Sequence, residues 1–124
     1  MQYLLLIYEA EKVWNDLPEA ERHKVYGEYM TFTGEIKNSG HWKGGNPLQP
    51  IHTATTVRVR DGKVSTTDGP FAETREQLGG YYLVEAKDLD EATKLAARIP
   101  GAQVGSIEVR PVMQLPPDYP RPGR

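Results

Sequence analysis

The chain has 124 residues and a mass of 13.9 kDa, a length at which one hydrophobic core is the rule and a single domain is expected. Hydrophobic residues at 38% and charged residues at 26% exclude a disordered chain, and the lack of cysteine excludes disulfides, thiolate nucleophiles and cysteine-ligated metal sites. Fifteen Lys+Arg against seventeen Asp+Glu give a net charge of -2 with no basic block, so nucleic acid is not an expected partner.

Residues Gln2 to Tyr8 are nearly all apolar and do not alternate, which predicts a central strand covered on both faces. The run is too short to cross a bilayer and no basic segment precedes it, so a soluble, cytoplasmic protein without membrane association is expected. Asp16-Leu17-Pro18-Glu19 has capping-box spacing, and Val25, Tyr29, Phe32 and Ile36 recur as one stripe. They predict a helix from about 17 to 38, stopped by Asn38-Ser39-Gly40. His41 to Pro50, interrupted by Gly44, Gly45 and Pro47, reads as loop or short irregular strand.

Thr53 to Arg60, Asp61-Gly62 and Lys63 to Thr67 predict a hairpin with a type I′ turn. Strand alternation puts Val57 and Val59 on one of its faces and Thr56, Arg58 and Arg60 on the other. Gly79-Gly80 precedes a strand from Tyr81 to Ala86, and Asp88-Leu89-Asp90-Glu91 opens a second helix carrying Ala92, Leu95, Ala96 and Ile99. That helix should end at Pro100-Gly101, and Ser106 to Arg110 forms the last strand. Prolines at 116, 117, 120 and 122 set off residues 115–124 as an extended tail beyond a domain of residues 1–114.

The order strand, helix, hairpin, strand, helix, strand predicts an α+β fold of the ferredoxin-like split βαβ type. Glu9-Ala10 and Glu85-Ala86 each close an apolar strand before a capped helix, as a doubled βαβ plan would have it. Both helices then cover one face of an antiparallel sheet. Because the first strand reads as buried on both sides, a second copy is expected to cover the other face, sheet against sheet, in a two-fold homodimer.

Asp68-Gly69-Pro70 carries two readings. It is a turn in which the carboxylate accepts nearby N–H groups, and it is also a strand end from which Asp68 could point into a cleft as a general base. Glu73 and Glu76 would share a face on a helical turn, either as ligand-binding carboxylates or as a solvated surface paired to Arg75. Arg58 and Arg60, joined by Arg110, suit an anionic ligand, or simply discourage strand aggregation. His52, beside the arginine strand, is the second candidate acid or base. The three histidines lack metal-binding spacing, so no metal is expected. Tyr81 and Tyr82 point to opposite faces, one into the core and the other toward whatever the open face encloses. Asp68 is expected within one ligand's length of Arg58 or Arg60 and one of the two tyrosines. Such a pocket would take a small polar or anionic metabolite bearing a carboxylate or enolate, with no cofactor.

The stretch Thr66-Thr67-Asp68-Gly69-Pro70-Phe71-Ala72-Glu73-Thr74-Arg75-Glu76-Gln77-Leu78-Gly79-Gly80 resembles the signature of the DGPF branch of the YCII-related family. A threonine-rich strand, DGPF, an acidic segment with Glu-Thr and a basic residue, and Leu-Gly-Gly before an aromatic strand stand in the family's order. The resemblance covers about the whole domain except the tail. It implies a ferredoxin-like fold that dimerises into an α/β barrel-like body, a likeness to muconolactone isomerase, and a small-molecule protein of lyase, isomerase or hydrolase type. The family's proposed histidine on the first helix corresponds here to Tyr29, so the His-Asp pair is not carried over. Genes of the branch often stand beside extracytoplasmic-function sigma factors, which implies a regulatory or ligand-sensing accessory role as the alternative.

Overall fold

The computed structural model describes residues 1–120; the end of the predicted tail, 121–124, lies outside the described residues. Strand β1 (Gln2–Glu9) leads into a short helix α1 (Glu11–Asp16) and the long helix α2 (Glu19–Asn38). The predicted single helix is thus two. Leu17, held extended by the following Pro18, breaks the chain between them, and Arg22 bridges the break by donating to the Leu17 carbonyl at 2.8 Å. The helix therefore starts at Glu19 with Pro18 before it, and Asp16 closes α1 instead of capping α2.

Strand β2 (Trp42–Pro47) comes next, then the ribbon β3 (Thr55–Arg60) and β4 (Lys63–Asp68). Strand β5 (Gln77–Glu85), helix α3 (Leu89–Ala97) and strand β6 (Ser106–Pro111) complete the order. The main sheet runs β2-β5-β1-β6 with every neighbour antiparallel, the ferredoxin-like arrangement. Its fourth strand is β2, from the segment that read as loop or short irregular strand; the second alternative holds, with a register shift between Trp42 and Gly44. The hairpin expected to pair into this sheet instead stands apart as a two-stranded one. Its turn has positive φ at both Asp61 (53°) and Gly62 (75°), as a type I′ turn requires.

Side-chain alternation along β1 sorts the core. Tyr3, Leu5 and Ile7 face the helices, opposite Val84, Tyr82 and Gly80 of β5 and Pro111, Val109 and Ile107 of β6. Phe32 and Ile36 of α2 and Ala92, Leu95 and Ala96 of α3 close this layer, and Leu5, Val84 and Ile36 have no exposed surface. Asp88 caps α3 by accepting from the Glu91 N–H at 2.9 Å, as its sequence predicts. Tyr82 takes the core place of the tyrosine pair, edge-on to Phe32 at 5.3 Å, with its hydroxyl 2.8 Å from Thr33 Oγ1.

The opposite face carries Leu4, Leu6 and Tyr8 of β1 beside Leu83, Tyr81 and Leu78 of β5, all half-buried, and helices α2 and α3 both pack on the other side. Glu108 and Arg110 pair with each other along its β6 side.

Candidate functional site

The β1 strand delivers Glu9 to the helix side of the sheet, at the end where β5 begins and β6 begins. There the Glu9 carboxylate meets Tyr29, which α2 supplies from the stripe that also buries Phe32 and Ile36. The Tyr29 hydroxyl accepts from the Gly101 N–H at 3.1 Å, so its own proton remains free to donate. A Cβ on Gly101 would sit 2.5 Å from Glu9 Oε1 and 2.7 Å from the Tyr29 hydroxyl oxygen. The two oxygens therefore close over the Gly101 Cα together with Ile7, and only a glycine fits between them.

Glu76, at the foot of β5, faces the same corner and accepts from Ser106 Oγ at 2.8 Å. Burial, and then the Glu76 charge, push the Glu9 carboxyl above its ordinary value of 4.5. Burial first, and then the Glu9 charge, push the Tyr29 phenol far above the usual range for tyrosine, against the opposing pull of the Gly101 N–H. The result is a half-buried carboxyl group poised to take or give a proton, beside a phenol that stays protonated. Gln77 and Glu11 frame the corner: Gln77 Oε1 accepts from the Glu11 N–H at 2.8 Å, and Glu11 Oε2 from the Ile51 N–H at 2.9 Å.

The residues singled out from sequence are placed differently. Asp68 is exposed at the foot of the ribbon, opposite Thr55. The turn after it is held by backbone, Gly69 N–H to the Ala54 carbonyl at 2.7 Å, with φ of 97° at Gly69. Because directly paired residues share a face, Asp68 lies with Val57, Val59 and Val64, and Arg58 and Arg60 lie on the other face with Ser65 and Lys63. The expected grouping of Asp68 with the arginines does not form, because strand register separates them. His52 is exposed in a single 3₁₀ turn, Ile51–Thr53.

Glu73 is exposed in an irregular segment, not on a helical turn shared with Glu76. Tyr81 lines the open sheet face and accepts from Asn46 Nδ2 at 2.9 Å, whereas Tyr82 is buried in the core. Two surface depressions lie elsewhere, one between α2 and the end of α3 at Glu28, Phe32 and Arg98, the other at the start of α3 at Asp88 and Glu91. Neither includes Glu9 or Tyr29, and neither includes Asp68, His52, Arg58, Arg60, Glu73 or the tyrosine pair.

Sequence reading did not single out Glu9 as a candidate. The available signal was Glu-Ala closing an otherwise apolar strand, which puts a carboxylate at the rim of the core.

Known proteins are similar to this chain in fold or in sequence. The YCII-related domain matches residues 1–116. The chain belongs to the YCII-related family. An uncharacterised protein of Rhizobium meliloti (strain 1021) is 35% identical to this YCII-related chain over 114 residues, 90% of the chain and 92% of the relative. Among solved structures it is similar to 5-chloro-2-hydroxyhydroquinone dehydrochlorinase (TftG) from Burkholderia phenoliruptrix AC1100, in complex with 2,5-dihydroxybenzoquinone. That likeness has a TM-score of 0.50 at 14% identity and covers 91% of this chain and 94% of the other. It shows the fold. No described helix is long and apolar enough to cross a membrane.

Proposed function

We propose that this protein is a small-molecule enzyme of the proton-transfer type, with Glu9 as general base and Tyr29 as the hydrogen-bond donor to the oxygen that gains charge. The observation that carries this reading is the convergence of the Glu9 and Tyr29 oxygens beside Gly101, with the carboxyl raised by burial. A carboxylate takes a proton from the carbon next to a carbonyl, the C–H electrons move into the enolate, and the phenol O–H stabilises the enolate oxygen. Return of the proton to a different carbon completes an isomerisation.

Glu9 and Glu76 make the corner electrically negative, which disfavours a free carboxylate at the reacting position. The arginines that would welcome an anion stand on the ribbon. The substrate class is therefore a neutral, hydroxyl-bearing carbonyl compound. The 2,5-dihydroxybenzoquinone in the TftG complex carries hydroxyls and carbonyls together and supports only that part of the reading, since as a vinylogous acid it is ionised at neutral pH. The working form is a cytoplasmic homodimer that acts without a cofactor and buries the open sheet faces, whose half-buried Leu4, Leu6, Leu83 and Tyr81 need a cover.

Solvent-deuterium exchange tests the reading. Incubated in D2O with a panel of neutral hydroxyketones, the protein should speed uptake of deuterium next to the carbonyl of at least one compound, as followed by NMR. Loss of exchange in Asp68→Asn with Glu9→Gln unaffected would transfer the role of base to Asp68. A compound that raises the melting temperature without exchange or turnover would instead support a ligand-sensing accessory protein.

A further inference from the structure

The ribbon β3–β4 pairs with no strand of the main sheet. Ile51, just before it, is tied to Glu11, and Thr56 Oγ1 donates to the Gly69 carbonyl at its foot. Six-residue strands at about 3.3 Å per residue carry it roughly 20 Å outward. A lone two-stranded ribbon is marginal in water and needs a surface to rest on.

The two faces of this ribbon are not alike. One presents Thr56, Arg58 and Arg60 with Lys63, Ser65 and Thr67, and is suited to solvent. The other presents Val57, Val59 and Val64 toward the tip, exposed by 60%, 57% and 69%, with Thr55, Thr66 and Asp68 nearer the foot. The alternation Val57-Arg58-Val59-Arg60 marks the outer half of β3 as having one dry side. Nothing among the described residues dries it.

The same chain leaves a second apolar surface uncovered, the open face of the main sheet. The ribbon rises from the sheet end where β5 begins and β2 ends, tied there by Leu48 N–H to the Gly79 carbonyl at 2.9 Å and by the Glu11 bond to Ile51. Two unfilled apolar surfaces that do not meet within one chain can be satisfied reciprocally by two copies about a two-fold axis. We propose that the ribbon is an exchanged arm: its valine face packs on a second copy of this chain, extending the contact made by the open sheet faces. The arginine face of each arm stays in water and limits further association. This inference rests on the homodimer in the proposed function, and not on the Glu9 chemistry.

The chain has no cysteine, so single cysteines introduced into the full-length protein report without background. Val59→Cys and Arg58→Cys are adjacent and face opposite ways. At a concentration where sedimentation shows about twice 13.9 kDa, Val59→Cys should react with a maleimide dye about tenfold more slowly than Arg58→Cys. On dilution to monomer the two rates should converge. Val57→Glu with Val64→Glu should shift the equilibrium toward monomer by about tenfold or more in Kd, while Thr56→Glu with Ser65→Glu leaves it unchanged. All four positions lie on the ribbon, outside the core, so the variants keep the native circular dichroism spectrum. A dimer with equal labelling of the two cysteines and an unmoved Kd in the valine variant overturns the arm while leaving the homodimer standing. A wild-type monomer at every concentration overturns both.

Discussion

Replacing Glu9 by Gln is expected to slow proton exchange on a responsive substrate by about 10²- to 10⁴-fold, the usual contribution of a positioned general base. The amide keeps the shape of the side chain and removes its basicity. Stability separates this loss from misfolding. The folded Glu9 carboxyl is raised above 4.5 by burial, so the protonated form is the one the fold prefers. Its contribution is fully present below the unfolded value and is lost as pH rises through the folded one. Glu9→Gln removes that loss, so the variant should melt no lower than the wild type at pH 7. A variant that exchanges normally, or that is inactive only because it melts earlier, contradicts the assignment.

Leu5→Ala is expected to destabilise the fold by about 2–5 kcal/mol. Leu5 has no exposed surface at the centre of β1, between Tyr82 of β5 and Val109 of β6 and under the helices. Truncation removes apolar burial and leaves a cavity that two flanking strands and two helices hold open. In urea the midpoint should fall with an unchanged slope. A loss below about 1 kcal/mol would mean that this layer collapses readily around the gap.

The parts of the fold legible in the sequence are those written in periodicity and capping. The apolar run of β1, the stripe Phe32 to Ile36 and the Asp88 cap all stand where their patterns put them. Strand β2 is hidden because its glycines look like breakers. Gly45 serves close packing instead: a Cβ there would lie 2.8 Å from the Tyr81 carbonyl and 3.0 Å from the Tyr82 ring. The ribbon's alternation is legible, but alternation states only that a face is covered, not by what, so it does not reveal that the hairpin stands outside the main sheet.

The site is the least legible part. Glu9, Tyr29, Glu76, Gly101 and Ser106 come from widely separated positions, with no shared motif to join them. Asp68 draws notice because Asp-Gly-Pro is a compact signal, yet the register turns it away from Arg58 and Arg60.

The most direct test of the proton-transfer site is the ionisation of Glu9 itself, followed by the ¹³C shift of its carboxyl carbon across a pH titration. The arrangement predicts a midpoint above 4.5, with part of the elevation lost in Glu76→Gln and the larger part, due to burial, retained. A midpoint at or below 4.5 would show an ordinary surface carboxylate and contradict Glu9 as the base.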